Sequence, residues 1–248
     1  MKSFSLVLPV WNEETFIAEV AHGIEKILEE KNIDYELLLV ENGSSDGSLQ
    51  VVQNLSRQNP RCRVVIRPKG YGSAVIGGLW EATKDWVAYM PSDGQIEPRI
   101  LIDLLELMET EKYDLVKINR VQRENKTRKF ISFFFNGLAC MLFNLSAKDI
   151  NGSPKVFARE WVPILDLKST QNLIDTELMA KAAHLKWRIE GVDTQSNPRA
   201  GGKSHVNPET LIDFIRDLIQ LRLSSELREF KKKASSEKKG SYDYRTAG

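Results

Sequence analysis

Five places in this chain hold the residues whose types could do chemistry. They are Pro9-Val10-Trp11-Asn12-Glu13, Glu41-Asn42-Gly43-Ser44-Ser45-Asp46-Gly47, Lys69-Gly70-Tyr71-Gly72-Ser73-Ala74, Pro91-Ser92-Asp93-Gly94-Gln95 and the single cation Arg120. Carboxylates and amides supply oxygen acceptors, glycines let backbone come close to a ligand, and arginine presents a planar fork of donors. Together these types suit a cleft that binds a polar ligand. A later run, Arg199-Ala200-Gly201-Gly202-Lys203-Ser204, combines two cations with two glycines that would let the backbone approach an anion. Two other fingerprints fail. Gly70-Tyr71-Gly72 lacks the third glycine of a dinucleotide motif, where Val75 stands, and no phosphate loop follows a strand. His22, His184 and His205 are scattered without metal-ligand spacing.

The elements that must position these runs alternate between two periodicities. Continuous apolar stretches at 4–10, 35–40, 64–67, 86–90 and 115–118 read as buried strands. Helical spacing covers 15–30, 49–58, 74–83 and 100–111 between them. Strands separated by helices form a largely parallel sheet, and ligands of such sheets bind outside the carboxyl ends of the strands. Each of the five places follows one of these strands. Further on, the pattern predicts a strand at 155–157, a helix at 174–185, a strand near 187–192 and one long helix over 208–230.

The bulk numbers agree with one large α/β domain. The 248 residues are 42% hydrophobic, and Lys+Arg (35) nearly balance Asp+Glu (34), which gives no support for nucleic-acid binding. Cys62 and Cys140 read as two buried thiols rather than a disulfide framework. The apolar start is too short for a signal-peptide core, and no long uninterrupted apolar run suggests a membrane span. Those features predict a cytoplasmic protein.

The pieces PVWNEE, ENGSSDGS, GYGSAVIGGLWEA, SDGQIEP, NGSPKVFARE, DTELMAKA and RAGGKS, in this order and spacing, resemble the family 2 glycosyltransferases of the GT-A fold. The nearest branch is the dolichol-phosphate mannosyltransferase-like one, and the resemblance runs from about residue 5 to residue 223. It implies a mixed, largely parallel sheet flanked by helices, with a C-terminal helical segment. Residues 1–230 would form the domain, 1–122 its nucleotide-binding half and 123–230 its acceptor-binding half. A mobile basic tail would occupy 231–248.

The resemblance also implies roles. Pro9, Trp11 and Glu13 would hold base and ribose. Glu41 and Asn42 stand where the family usually has paired aspartates, so the base edge would meet an amide. Gly70 and Gly72 would line the nucleotide or sugar pocket, with Ser92 and Asp93 beside it. The metal motif Asp-X-Asp aligns with Pro91-Ser92-Asp93. Its first carboxylate is missing, and Asp93 with Gln95 would hold Mg²⁺ or Mn²⁺ while phosphates supply the other oxygens. Arg120, Arg128, Arg199 and Lys203, with Ser204, match positions around phosphate groups, where cations stabilise a departing nucleoside diphosphate. Glu177, with Asp175 as the second choice, occupies the acidic position near the acceptor. A hydroxyl acceptor would need a base there, whereas a lipid phosphate is already ionised.

The implied reaction is an inverting, metal-dependent transfer from a nucleotide-diphospho-sugar to a membrane-linked acceptor, a polyprenyl phosphate. Transfer to a hydroxyl of a growing cell-surface glycan and a non-catalytic nucleotide-binding protein are the alternatives. The apolar segment 130–145 contains Phe133-Phe134-Phe135 and follows basic residues. It could be a core helix or lie in a membrane interface, giving peripheral contact at the inner face of the membrane.

Overall fold

The structure, a computed structural model, describes residues 2–122, 126–195 and 208–237. In chain order these form β1 (Phe4–Val10), α1 (Ile17–Glu30), β2 (Tyr35–Glu41), α2 (Ser48–Gln58), β3 (Cys62–Ile66), α3 (Tyr71–Glu81), β4 (Trp86–Tyr89) and α4 (Ile100–Glu109). Then come β5 (Leu115–Gln122), α5 (Lys126–Phe143), β6 (Lys155–Ala158), α6 (Trp161–Leu165), α7 (Ile174–Leu185), β7 (Ile189–Gln195), α8 (Pro208–Leu223) and α9 (Ser225–Glu237).

The strands form one sheet in the order β3-β2-β1-β4-β6-β5-β7. β6 runs antiparallel to both its neighbours, β4 and β5, and every other pair is parallel. Strand side chains alternate between two faces. Phe4, Leu6, Leu8 and Val10 of β1 enter a core with Ile17, Ile24 and Leu28 of α1 and Leu101 and Leu105 of α4. Val7 enters the opposite core with Val75 and Leu79 of α3 and Ile174 and Leu178 of α7. Covered on both sides, β1 and β2 are buried throughout, which is why they read as unbroken apolar runs.

Two expectations about the C-terminal region need correction. The single helix over 208–230 is two helices, because Ser224 interrupts it. Its hydroxyl donates to the Leu221 carbonyl at 2.9 Å and accepts the Leu227 amide at 3.2 Å, capping the start of α9. The basic tail does not begin at 231 either, since Lys231, Lys232 and Lys233 lie within α9. Residues 238–248 lie outside the described ones. Among the described residues no helix is long and apolar enough to cross a membrane.

Candidate functional site

The carboxyl ends of β1 and β2 carry two loops tied together side by side. Asn12, in a left-handed conformation, donates its amide to Ser44 Oγ at 3.1 Å and accepts the Ser45 amide at 2.8 Å. The Glu13 amide reaches Ser48 Oγ at 2.8 Å, and Glu14 accepts the Gly47 amide at 2.9 Å. Asp46 accepts the Ser48 amide and hydroxyl at the start of α2 and the Glu14 amide across the gap. Partial desolvation would raise its pKa, but the Ser48 hydroxyl and these amides outweigh it and hold the carboxyl below its usual range.

Within this frame Glu41 serves its own loop. Its Oε1 accepts the amides of Gly43 at 3.0 Å and Ser44 at 2.5 Å, with Gly43 at φ 88° making the turn possible. The next residue differs. Asn42 is only 4% exposed and its amide donates to Val10, yet its side-chain oxygen meets no hydrogen-bond partner. A buried acceptor left unsatisfied costs about 1–3 kcal/mol, so such an atom marks a place where a ligand donor would be welcome. Beside it Lys69 lies over the Trp11 ring, 4.7 Å from its centre.

β4 delivers the next loop to the same edge. Ser92, buried, donates to the Pro9 carbonyl at 2.6 Å and so ties this loop to the end of β1. Asp93, Gly94 and Gln95 then form a tight turn, with Gly94 at φ 69° and the Gln95 amide on Asp93 Oδ1 at 3.2 Å. The turn holds a carboxylate and a carboxamide together, and both are partly exposed. Among the described residues no three acidic, histidine or cysteine side chains gather as a metal cage. The oxygen pair of Asp93 and Gln95 therefore fits a hard divalent cation as a shared site, in which phosphate oxygens complete the shell.

Pro9, Trp11, Glu13, Glu41, Asn42, Ser92, Asp93 and Gln95 thus come together on one edge. Gly70 and Gly72 have a packing reason of their own. A Cβ at Gly70 would meet the Thr170 carbonyl and one at Gly72 the Ser169 carbonyl, while the Ser73 amide donates to Thr170 O at 2.9 Å. These glycines let α3 press against the 168–171 loop.

The acidic residues of α7 require a correction. Glu177, expected to face the acceptor, is 1% exposed. Its two oxygens accept the amides of Lys168 at 3.0 Å and Ser169 at 2.7 Å and pair with Lys181 at 2.6 Å. The carboxylate at this helix start is turned into the interior, where it shapes the 168–171 loop. Asp175 is likewise buried, accepting Tyr89 Oη at 2.7 Å and pairing with Lys155. Lys155, Tyr89 and Lys117 occupy one cross-strand row, so their side chains share a face of the sheet. Burial pulls the Lys155 pKa down despite the Asp175 charge, and pushes that of Tyr89 up. Lys117 donates to Ile118 O, Asn119 Oδ1 and Asp149 O at 2.6–2.8 Å; burial, then Lys155, lowers its pKa to about 7.

Arg120 lies inside β5 rather than after it, and its guanidinium is already engaged. Nε and one terminal nitrogen grip Asp149 at 2.8 and 3.1 Å, a bidentate pair that neutralises much of its charge. Arg199, Lys203 and Ser204 lie outside the described residues, as does the side chain of Arg128. Asp149, Lys117 and Lys155 were missed from sequence. A lysine inside an apolar strand, as in Leu115-Val116-Lys117-Ile118 and Lys155-Val156-Phe157, was the signal that could have found the last two.

Comparison with known proteins bears on this arrangement. Residues 5–149 match glycosyl transferase family 2. The chain is 28% identical over 144 residues to the uncharacterized glycosyltransferase YkcC of Bacillus subtilis (strain 168), a match covering 57% of this chain and 43% of that protein. It is 26% identical over 228 residues to undecaprenyl-phosphate 4-deoxy-4-formamido-L-arabinose transferase of Proteus mirabilis (strain HI4320), covering 90% of this chain and 69% of the relative. The chain therefore spans less than half the length of the first relative and about two thirds of the second. Glucosyl-3-phosphoglycerate synthase from Mycobacterium tuberculosis, solved with Mn²⁺, UDP and glucosyl-3-phosphoglycerate, superposes at TM-score 0.69 with 20% identity, covering 90% of this chain and 79% of that one. Its complex with Mn²⁺ and UDP-glucose gives 0.68 and 22%, covering 90% and 78%. These likenesses establish the GT-A fold.

Proposed function

Since this chain belongs to glycosyl transferase family 2, we propose that it moves a sugar from a nucleotide-diphospho-sugar to a membrane-linked polyprenyl phosphate, with inversion. The observation that carries the donor side is the convergence of the loops after β1, β2 and β4, tied by Ser92 to Pro9 and by Asn12 to Ser44 and Ser45. In this reading Trp11 and Asn42 hold the nucleoside, and the Asn42 oxygen takes a donor from the base edge. Asp93 and Gln95 hold Mg²⁺ or Mn²⁺ together with the diphosphate; such a cation supplies charge stabilisation for the departing nucleoside diphosphate. The relatives support both halves: one is named as an undecaprenyl-phosphate transferase, and one structural neighbour was solved with Mn²⁺ and UDP.

The acceptor class follows from the acids on α7. With Glu177 and Asp175 both buried and engaged, neither is placed to take a proton from an attacking hydroxyl. A phosphate monoester is ionised at neutral pH and attacks without a base, so inversion at the sugar carbon needs only in-line placement. Arg199, Lys203 and Ser204, with Arg128, are proposed to receive the acceptor phosphate, and Arg120 to position that region through Asp149.

Incubating the protein with UDP-, GDP- and dTDP-linked sugars, with and without Mn²⁺, tests this. Sugar should pass to polyprenyl phosphate and not to free oligosaccharide, in a metal-dependent manner. Transfer to oligosaccharide alone would favour the glycan reading. Metal-dependent stabilisation by nucleoside diphosphates with no turnover of any sugar would favour a binding protein.

A further inference from the structure

Helix α5 is apolar on two sides. Phe135, Ala139 and Phe143, four residues apart, face the core against Phe214 of α8, whose ring lies 5.7 Å from that of Phe135. Phe133, Gly137 and Met141, also four apart, form a second stripe that faces outward, flanked by Phe134. Phe133 is 78% and Met141 72% exposed, and the space around Gly137 is open. From 133 to 143 the helix contains no charged residue. A solvated helix face normally carries charge, so this stripe lacks a partner.

α8 runs alongside in the same direction, since Phe214 meets Phe135 and, two turns later, Arg222 Nε donates to the Leu142 carbonyl at 2.9 Å. It too exposes Ile219 and Leu223, four apart. Positive charge gathers at this end of the two helices. Burial, then Lys231 and Arg222, lowers the His184 pKa, which places both cations near one another at the end of α7. In sequence, 126–132 adds three basic residues and no acidic one at the opposite end of the stripe.

We propose that the outward stripe of α5, with the exposed end of α8, docks on an anionic phospholipid bilayer. Phe133, Phe134 and Met141 would enter the acyl boundary while Arg222 and Lys231 meet lipid headgroups. A second copy of the chain fits less well. A stable protein interface takes roughly 20–30 residues a side, whereas five apolar side chains are on offer, and a self-contact would oppose like charges. The inference deepens the reading of a lipid-linked acceptor and rests on it for its purpose, because docking brings the site to the plane where such an acceptor lies.

Co-sedimentation with phosphatidylcholine vesicles containing about 30% phosphatidylglycerol tests it. The protein should pellet with these vesicles at low salt and much less at high salt or with phosphatidylcholine alone. Combined Phe133→Ser, Phe134→Ser and Met141→Ser should cut the bound fraction about tenfold, at an unchanged melting temperature. Trp80→Ser, at an exposed aromatic on α3, should bind like the parent. A parent protein that stays in the supernatant, or a triple variant that pellets equally well, overturns the proposal. So does a dimer that the triple variant converts to monomer without any vesicle binding.

Sugar transfer separates this from the acceptor reading. Loss of transfer to vesicle-embedded polyprenyl phosphate, with transfer to detergent-dispersed acceptor retained, supports docking. Vesicle binding without transfer to either form leaves docking standing and removes the acceptor.

Discussion

Acidic residues and their neighbours do opposite work in two regions only a few residues of strand apart. At the loop edge, Asp93 and Gln95 are partly exposed on a turn whose backbone, through Ser92 and Pro9, is anchored to β1. On the sheet face beneath α7, Asp175, Glu177, Lys155 and Lys181 are buried and spent on one another, on Tyr89 and on the amides of the 168–171 loop. The difference is position relative to the strand ends. A loop beyond the last strand residue can turn its carboxylate to a ligand, while a side chain on a covered face must find its partner inside the protein.

Removing a buried partner should have the largest effect. Asp175→Ala leaves the Lys155 ammonium buried without its counter-charge, a change that costs about 3–5 kcal/mol. At about 2–4 °C per kcal/mol for a chain of this size, the melting temperature should fall by roughly 10 °C, as calorimetry would record. A fall of only a degree or two would mean that the charge layer is not structural.

Asn42→Leu sharpens the contrast from the other side. It replaces the one amide of the β2 loop whose buried oxygen has no partner, so stability should stay within about 1 kcal/mol of the parent. Nucleotide affinity should drop about tenfold in equilibrium titration if that oxygen receives a donor from the base. Unchanged affinity would take Asn42 out of the site.

Lys117→Met gives the smallest, pH-dependent effect. In the unfolded chain a lysine keeps its proton to about 10.5, whereas folded Lys117 loses it at about 7. Between these values the unfolded state binds more protons, so the parent should gain stability as pH rises from 7 towards 10. The Met variant should show a flatter melting-temperature profile over that range, and identical slopes would rule out the shift.

Much of the fold was legible because periodicity reports it directly. β1 and α7 fall on the residues that apolar runs and helical spacing mark, 4–10 and 174–185. The break at Ser224 was harder to see, since serine is tolerated within helices and only its hydrogen bonds to Leu221 and Leu227 reveal a cap. The loop-edge half of the site was legible for a topological reason: whatever follows a parallel strand lands on the binding edge. Direction was not. Residue type and motif placed Glu177 near an acceptor, but a helix start can present a carboxylate outward or inward. The amides of Lys168 and Ser169, distant in motif terms, decided it. The Arg120–Asp149 pair was hidden in the same way, because 29 residues separate its members.

The most direct test is calorimetric titration of UDP, GDP and dTDP with Mn²⁺ into the parent and into Asp93→Ala. One of the three should bind the parent, and the variant should bind it at least about tenfold more weakly with an unaltered melting temperature. Equal affinity in the two proteins would contradict a diphosphate site at the end of β4.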